Sequence, residues 1–269
     1  MLEKAGCDSP AFDACCLLED IAHLPHGRHF ESMESAVDPI LCDAVLTAAQ
    51  RRANGEPLQY ILGQWDFLSL TLDVGDGVLI PRPDTELLCE VAAQKLADVP
   101  HPCVLDLCAG SGCVGLGVCS LLPNTSSTEV ELSDAAFAYL QRNIARYPQY
   151  NVCAVQDDVL APQKTYSLVD AILSNPPYIP SDDIPGLMRE VQHEPKMALD
   201  GSPDGLLFYR EIVKQWLAYL KNGGWLIVEL GIGQAGDVQA IFENVGLCDV
   251  AVYRDMGHIE RVVAGRKPL

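Results

Sequence analysis

The chain has 269 residues, about two domains' worth at roughly 150 residues each. Its 18 Lys and Arg against 37 Asp and Glu give a net charge of −19, which repels phosphate backbones and anionic membrane surfaces. A hydrophobic content of 49% excludes a wholly disordered chain.

Eleven cysteines first suggest a disulfide or metal scaffold, but the number is odd and no C-x-x-C pair occurs. Cys103, Cys108, Cys113 and Cys119 lie in apolar runs, where a thiol acts as a small buried hydrophobe. No metal site is expected. The first eight residues hold no apolar signal core, and no stretch approaches about 18 consecutive apolar residues. A reducing cytoplasm is the expected compartment.

Residues 1–63 have a helical pattern. Ser9-Pro10 is a cap followed by a proline at the first helical position, with Ala14, Leu17, Leu18 and Ile21 at helical spacing. Asp38-Pro39 starts a second helix with Leu41, Val45, Leu46 and Ala49 on one face, and Gly55 stops it. His23, His26 and His29 could mark a metal face. Pro25 and Gly27 break the helix that face needs, so a polar loop is predicted.

From Trp65 the period becomes two. Leu68, Leu70, Leu72 and Val74 alternate with polar residues, and Gly75-Asp76-Gly77 turns the chain into Val78-Leu79-Ile80. This predicts a β-hairpin connector over 64–81. Residues 82–269 then alternate helix and strand. Helices are predicted over 85–97, 113–122, 134–147, 205–220 and 234–245. Strands are predicted over 103–107, 128–132, 152–156, 169–174, 225–230, 249–254 and 261–265. Such alternation gives an α/β fold with a parallel, doubly wound sheet. The link between the last two strands is too short for a crossover, so they pair antiparallel.

Asp106-Leu-Cys-Ala-Gly110-Ser-Gly112 lies where a strand ends and a helix begins, and its glycines let backbone approach a ligand. Through Gly115 it also satisfies the dinucleotide pattern G-x-G-x-x-G. Glu131 follows 19 residues after Gly112, placed to accept from two ribose hydroxyls. Two features favour S-adenosylmethionine over NAD. Asp106 suits a cationic ligand and sits badly against a pyrophosphate, which wants helix N–H groups and no nearby anion. The antiparallel last strand is a habit of methyltransferase sheets.

Asn175-Pro176-Pro177-Tyr178 ends a strand at the carboxyl edge of the sheet. Two prolines remove two N–H donors and stiffen the backbone. The Asn175 oxygen and the Pro176 carbonyl can each accept a hydrogen from a planar NH2 group, with Tyr178 as an aromatic wall. No general base is expected, since alignment and hydrogen-bond polarisation suffice. Ser174 has no histidine nearby in sequence and is discounted as a nucleophile.

With these residues the chain resembles the HemK/PrmC-type protein-(glutamine-N5) methyltransferases that modify peptide chain release factors. The likeness rests on Gly55-Glu-Pro-Leu-Gln-Tyr-Ile-Leu-Gly63, Val78-Leu-Ile-Pro-Arg-Pro-Asp-Thr-Glu86, Asp106 to Gly112, and Ser174-Asn-Pro-Pro-Tyr-Ile-Pro180. Glu194-Pro195, Ala198-Leu199, Gly205-Leu206 and the stretch from Asp255 to Arg266 extend it. The four residues Asn175 to Tyr178 alone are shared with DNA and RNA amino-methyltransferases, which leaves a nucleobase substrate as the alternative. The resemblance implies a class I, Rossmann-like methyltransferase domain behind a helical substrate-recognition domain. The implied substrate is the glutamine of the Gly-Gly-Gln loop in bacterial class 1 release factors, with no direct nucleic-acid or membrane partner. A monomer is expected.

Carried over residue by residue, Cys108, Ala109, Gly110, Ser111 and Gly112 would cradle the methionine part of the cofactor and Glu131 its ribose. Asp158 and Val159 would flank the adenine, and Asn175 to Tyr178, with Arg82, would hold the glutamine. The chain departs from the family where Cys108 and Ala109 replace Gly-Thr, Glu131 an Asp, and Val159 an aromatic residue. By the resemblance the chain begins close to the family's second helix, which leaves two expectations open, a missing N-terminal helix or a miscalled start codon.

Overall fold

The computed structural model describes residues 1–24 and 38–269. His26 and His29 lie outside the described residues, and His23 ends the first helix at φ 54°.

Among the described residues, three α-helices form the N-terminal part: α1 (Pro10–Ala22), α2 (Pro39–Ala53) and α3 (Leu58–Leu62). Pro10 and Pro39 open the first two, where a missing N–H leaves no bond unmade. Asp38 caps α2 by accepting from Ile40 N at 2.9 Å, whereas Ser9 makes no side-chain cap. Leu17, Ala48 and Leu58 form a small core with Ile21, Ile61 and Trp65 packed on it. Leu46, expected on the inner face of α2, is 56% exposed. Ala49 packs on this core as expected, and the buried residues of α2 are Ala48 and Arg52, the latter reaching across to α1. Its Nε donates to Asp13 Oδ2 at 2.7 Å and its Nη1 to Glu190 Oε1 at 2.8 Å. Charge therefore ties α1, α2 and the segment around Glu190 together.

The hairpin is shorter than its sequence pattern suggests. Strands β1 (Gln64–Phe67) and β2 (Leu70–Asp73) pair antiparallel around a tight turn at Leu68 and Ser69. Leu70, Leu72 and Val74 are buried as their alternation predicts, but Leu68 occupies the turn at φ 51°. Val78 to Ile80 forms no strand. Its backbone finds other partners: Val78 O accepts from Tyr60 Oη at 2.5 Å, and Ile80 N donates to Glu194 Oε2 at 3.0 Å.

The remainder comprises α4 (Pro83–Leu96), β3 (Cys103–Leu107), α5 (Cys113–Leu121), β4 (Ser126–Glu131), α6 (Asp134–Arg146), β5 (Asn151–Gln156) and β6 (Val169–Ser174). It continues through α7 (Leu207–Gln215), β7 (Leu220–Glu229), α8 (Ala235–Asn244), β8 (Cys248–Arg254) and β9 (Glu260–Arg266). Strand order is β5-β4-β3-β6-β7-β9-β8, with β9 antiparallel to both neighbours. Helix α7 ends earlier than predicted. Trp216 is fully buried, its indole N–H donating to Val159 O at 2.9 Å, and a 3-10 turn over Leu217–Tyr219 leads into β7.

Alternation along the central strands divides the core in two. On β6, Ile172 faces Tyr209, Trp216 and Phe242, while Ala171 and Leu173 face Leu88, Val114 and Leu116. Both faces are covered by helices, which explains the nearly continuous apolar runs. Among the described residues, no helix is long and apolar enough to cross a membrane.

Removing Arg52 would strand the Asp13 carboxylate in a buried site. Arg52→Ala should therefore lower the urea unfolding free energy by about 3 kcal/mol or more. Arg254→Ala, which removes an exposed pair with Glu260, should cost under about 1 kcal/mol. Equal losses would contradict the assignment of Arg52 as a buried tie.

Candidate active site

The strand order reverses between β3 and β6, which makes their carboxyl ends the switch point where doubly wound sheets bind ligands. Ser174 Oγ donates to Leu107 O at 2.7 Å and joins the two strand ends; this buried hydroxyl is structural. Above them opens a partly enclosed cavity at the place where such sheets take small molecules. Cys108, Ala109, Gly110 and Ser111 line it from the β3–α5 turn, Glu131 from the end of β4, and Asp158 and Val159 from beyond β5. Asn175 and Pro177 complete the wall beyond β6.

The turn is shaped to leave space. Cys108 and Gly110 take left-handed backbone at φ 61° and 57°. The strain at Cys108, where a glycine would have none, is on the order of 1 kcal/mol. A side chain on Gly110 would meet no protein atom within 4 Å, so it would project into the open space. Glu131 folds back on the loop: Oε2 accepts from Gly110 N and Oε1 from Ser133 N, each at 2.8 Å. Burial raises its pKa against the pull of these donors. Asp158 Oδ1 accepts from Leu160 N at 2.8 Å, which orients its carboxylate beside Val159.

Asp106 and Gly112 lie behind this wall rather than in it. Asp106 shares the face of Val104, directed at α5, so it does not line the cavity. Its Oδ2 accepts from Gly115 N at 3.2 Å, one of the N–H groups left open in the first turn of α5. In register beside it on β4 stands Glu129, which accepts from Ser127 Oγ. Two buried carboxyls in contact cannot both ionise. Burial raises Asp106 to about 6 and lifts Glu129 well above its ordinary value, so Glu129 keeps the proton. Gly112 caps α5 at φ 82°, where a Cβ would lie 2.6 Å from Leu140 Cδ1.

The run after β6 divides between cavity wall and its support. Asn175 and Pro177 line the cavity; Pro176 and Tyr178, expected at the substrate, are not among its wall residues. Asn175 Nδ2 donates to Thr85 Oγ1 at 3.1 Å, which leaves Oδ1 as the uncommitted end of the amide. Tyr178 Oη donates to Glu229 Oε1 at 3.3 Å, and its carbonyl accepts from Gln234 Nε2 at 2.9 Å. The ring thus buttresses the loop from behind. Arg82 does line the cavity, but its guanidinium is ion-paired with buried Glu194. That pair ties the segment before α4 to the run before α7.

Residues 1–63 match the PrmC N-terminal domain, and residues 83–208 match the methyltransferase small domain. A release factor glutamine methyltransferase from Geobacter sulfurreducens is 40% identical over 267 residues, 98% of this chain and 92% of that protein. Another, from Vibrio cholerae, is 35% identical over 266 residues, with the same two coverages of 98% and 92%. The chain belongs to the release factor glutamine methyltransferase family. Its fold is shared more widely: the hMettl16 catalytic domain, solved in complex with MAT2A 3'UTR hairpin 6, superposes with a TM-score of 0.59. That match has 16% identity and covers 86% of this chain and 84% of that one.

Several residues of this methyltransferase site carry no role in the sequence pattern alone. Thr85 sits inside a motif string without a signal of its own, and Phe208, Pro195 and Met197 reach the cavity from remote segments. Glu229 had a visible signal: like Asp106, it is an acid that closes an apolar strand, Leu226-Ile-Val-Glu229.

The shared proton beneath the loop has a stability consequence. A carboxyl whose pKa is raised on folding favours the folded state at low pH and loses that contribution as pH rises through the folded value. The thermal midpoint should therefore fall as pH rises from about 4.5 past 6, the window set by Glu129 and Asp106. Glu129→Gln removes the group that must stay protonated, so its midpoint relative to wild type should climb over that window. A constant difference would contradict proton sharing.

Proposed function

We propose that this protein transfers a methyl group from S-adenosylmethionine to the side-chain amide nitrogen, N5, of the glutamine in the Gly-Gly-Gln loop of class 1 release factors. Membership of the release factor glutamine methyltransferase family supports it, and the cytoplasm is the setting it implies. The single observation that carries the chemistry is the Asn175 amide, which commits its nitrogen to Thr85 and leaves its oxygen at the cavity.

The residues present fit the cofactor. Open space above Gly110 accommodates a ligand close to the backbone, and Glu131 keeps lone pairs beyond its two backbone bonds for ribose hydroxyls. Asp158 and Val159 would border the adenine, with Phe208 as an aromatic neighbour in the same cavity. When bound, S-adenosylmethionine supplies an electrophilic methyl carbon carried on a positive sulfur.

The protein's part is to present the acceptor nitrogen. Asn175 Oδ1 takes one N–H of the glutamine carboxamide, which orients the nitrogen and favours electron density on it. Pro176 and Pro177 contribute no N–H donors, so nothing on that rim competes for the same nitrogen. The rigid rim and the closed-off floor hold the group in place, and alignment of this kind is a large share of such rate enhancements. The net charge of −19 weighs against the nucleobase alternative, since gripping phosphates needs a basic surface.

Radiolabelled cofactor should deliver label to a release factor and none to its Gln→Ala variant. Label on DNA or RNA instead would overturn the proposal. Asn175→Ala should cut kcat by about a hundredfold, as losing one positioned donor or acceptor does, with the cofactor Kd within about threefold. A tenfold weaker cofactor would place Asn175 chiefly in cofactor binding.

A further inference from the structure

We propose that Glu229 is a positioning residue: through Thr85 it selects which end of the Asn175 amide faces the cavity, and through Tyr178 it holds the far end of the same loop. The inference rests on the function proposed above and goes beyond it by assigning control of the acceptor oxygen to a buried carboxylate outside the cavity wall.

An asparagine amide has two nearly isosteric orientations, and its neighbours decide between them. With oxygen outward it accepts from a substrate NH2. With nitrogen outward it presents a donor to a donor, and the acceptor is lost. Thr85 makes the choice, since its hydroxyl has a single proton to give. Glu229 is 1% exposed at the end of β7, and both Thr85 and Tyr178 act on it as hydrogen-bond donors. Glu229 Oε2 is buried and holds no donor at full hydrogen-bonding geometry, and Thr85 is the hydroxyl placed to supply one. While the carboxylate is ionised, it draws the Thr85 proton. Thr85 Oγ1 can then only accept from Asn175, and the 3.1 Å bond from Nδ2 is the outcome. Once Glu229 is protonated, its O–H can donate to Thr85, whose own proton is released toward Asn175 and permits the reversed amide.

The groups facing Glu229 bear on when that happens. Asp84 and Cys89 approach from α4, Cys113 from α5, Tyr209 from α7, Tyr178 from the rim and Arg261 from β9. Burial is the largest influence and raises the pKa to about 7; Asp84 adds to the rise, and Thr85, Tyr178 and Arg261 oppose it. Arg261 is itself held by Asp84 at 2.8 Å and Asp255 at 3.2 Å, so its help is shared.

The test follows methyl transfer to a release factor between about pH 5.5 and 8.5, a range centred on the Glu229 value of about 7. Wild-type kcat should rise with pH through an apparent pKa near 7. Glu229→Gln should abolish that limb and lower kcat by about tenfold or more, the effect of a displaced reacting group. Thr85→Val should match it, and Thr85→Ser, which keeps the hydroxyl, should recover to within about threefold of wild type with the limb intact. Cofactor Kd by calorimetry, within about threefold throughout, checks that each variant is folded. A wild-type pH profile in Glu229→Gln, or equal losses in Thr85→Val and Thr85→Ser, would overturn the proposal. The Asn175 side-chain amide 15N resonance gives a readout independent of turnover. It should titrate near pH 7 in wild type and stay fixed in Glu229→Gln. A resonance that does not titrate refutes the positioning role, whereas absence of methyl transfer by wild type refutes the functional proposal itself.

Discussion

The hydrogen bond from Asn175 Nδ2 to Thr85 Oγ1 gives the cavity its chemical polarity. Without it the amide could turn either face outward, and the site would offer a donor as readily as an acceptor. With it, a planar NH2 group meets an oxygen on a rim that prolines at 176 and 177 strip of competing N–H groups. Fold and sequence converge on this point. Thr85 lies in the first turn of α4, Asn175 follows β6, and Glu229 ends β7, so three separate elements must dock correctly before the amide is oriented.

Buried acids at or near the carboxyl ends of strands recur as the organising device. Asp106 and Glu129 share a proton below the glycine turn and steady the first turn of α5. Glu131 clasps the turn from the next strand end through Gly110 N and Ser133 N. Glu229 holds the acceptor loop. Each accepts from at least one backbone N–H or hydroxyl group, which fixes the loops around the cavity. Acidity at this edge is therefore local structure as much as surface charge.

Much of this was legible in the sequence because it follows from periodicity. The alternating helix and strand pattern, the antiparallel closing strand, and the turn from Cys108 to Gly110 follow from local spacing. So do Glu131 and Asn175 as wall residues. What escaped depends on direction rather than presence. Asp106 was expected to face a ligand, yet the alternation of β3 turns it toward α5, and Tyr178, expected as an aromatic wall, reaches back to Glu229. The hairpin slipped because Leu68 accepted a left-handed turn, and Val78 and Ile80 found partners in Tyr60 and Glu194, 114 residues beyond Ile80. Thr85 and Glu229 acquire meaning only in three dimensions, since their roles depend on Asn175 and Tyr178 from distant segments.

The most direct measurement is a crystal structure with S-adenosylhomocysteine and a Gly-Gly-Gln peptide. The account predicts the glutamine carboxamide nitrogen about 3 Å from Asn175 Oδ1, with Asn175 Nδ2 still on Thr85. A peptide glutamine bound away from Asn175, or an Asn175 amide turned with its nitrogen toward the substrate, would contradict it.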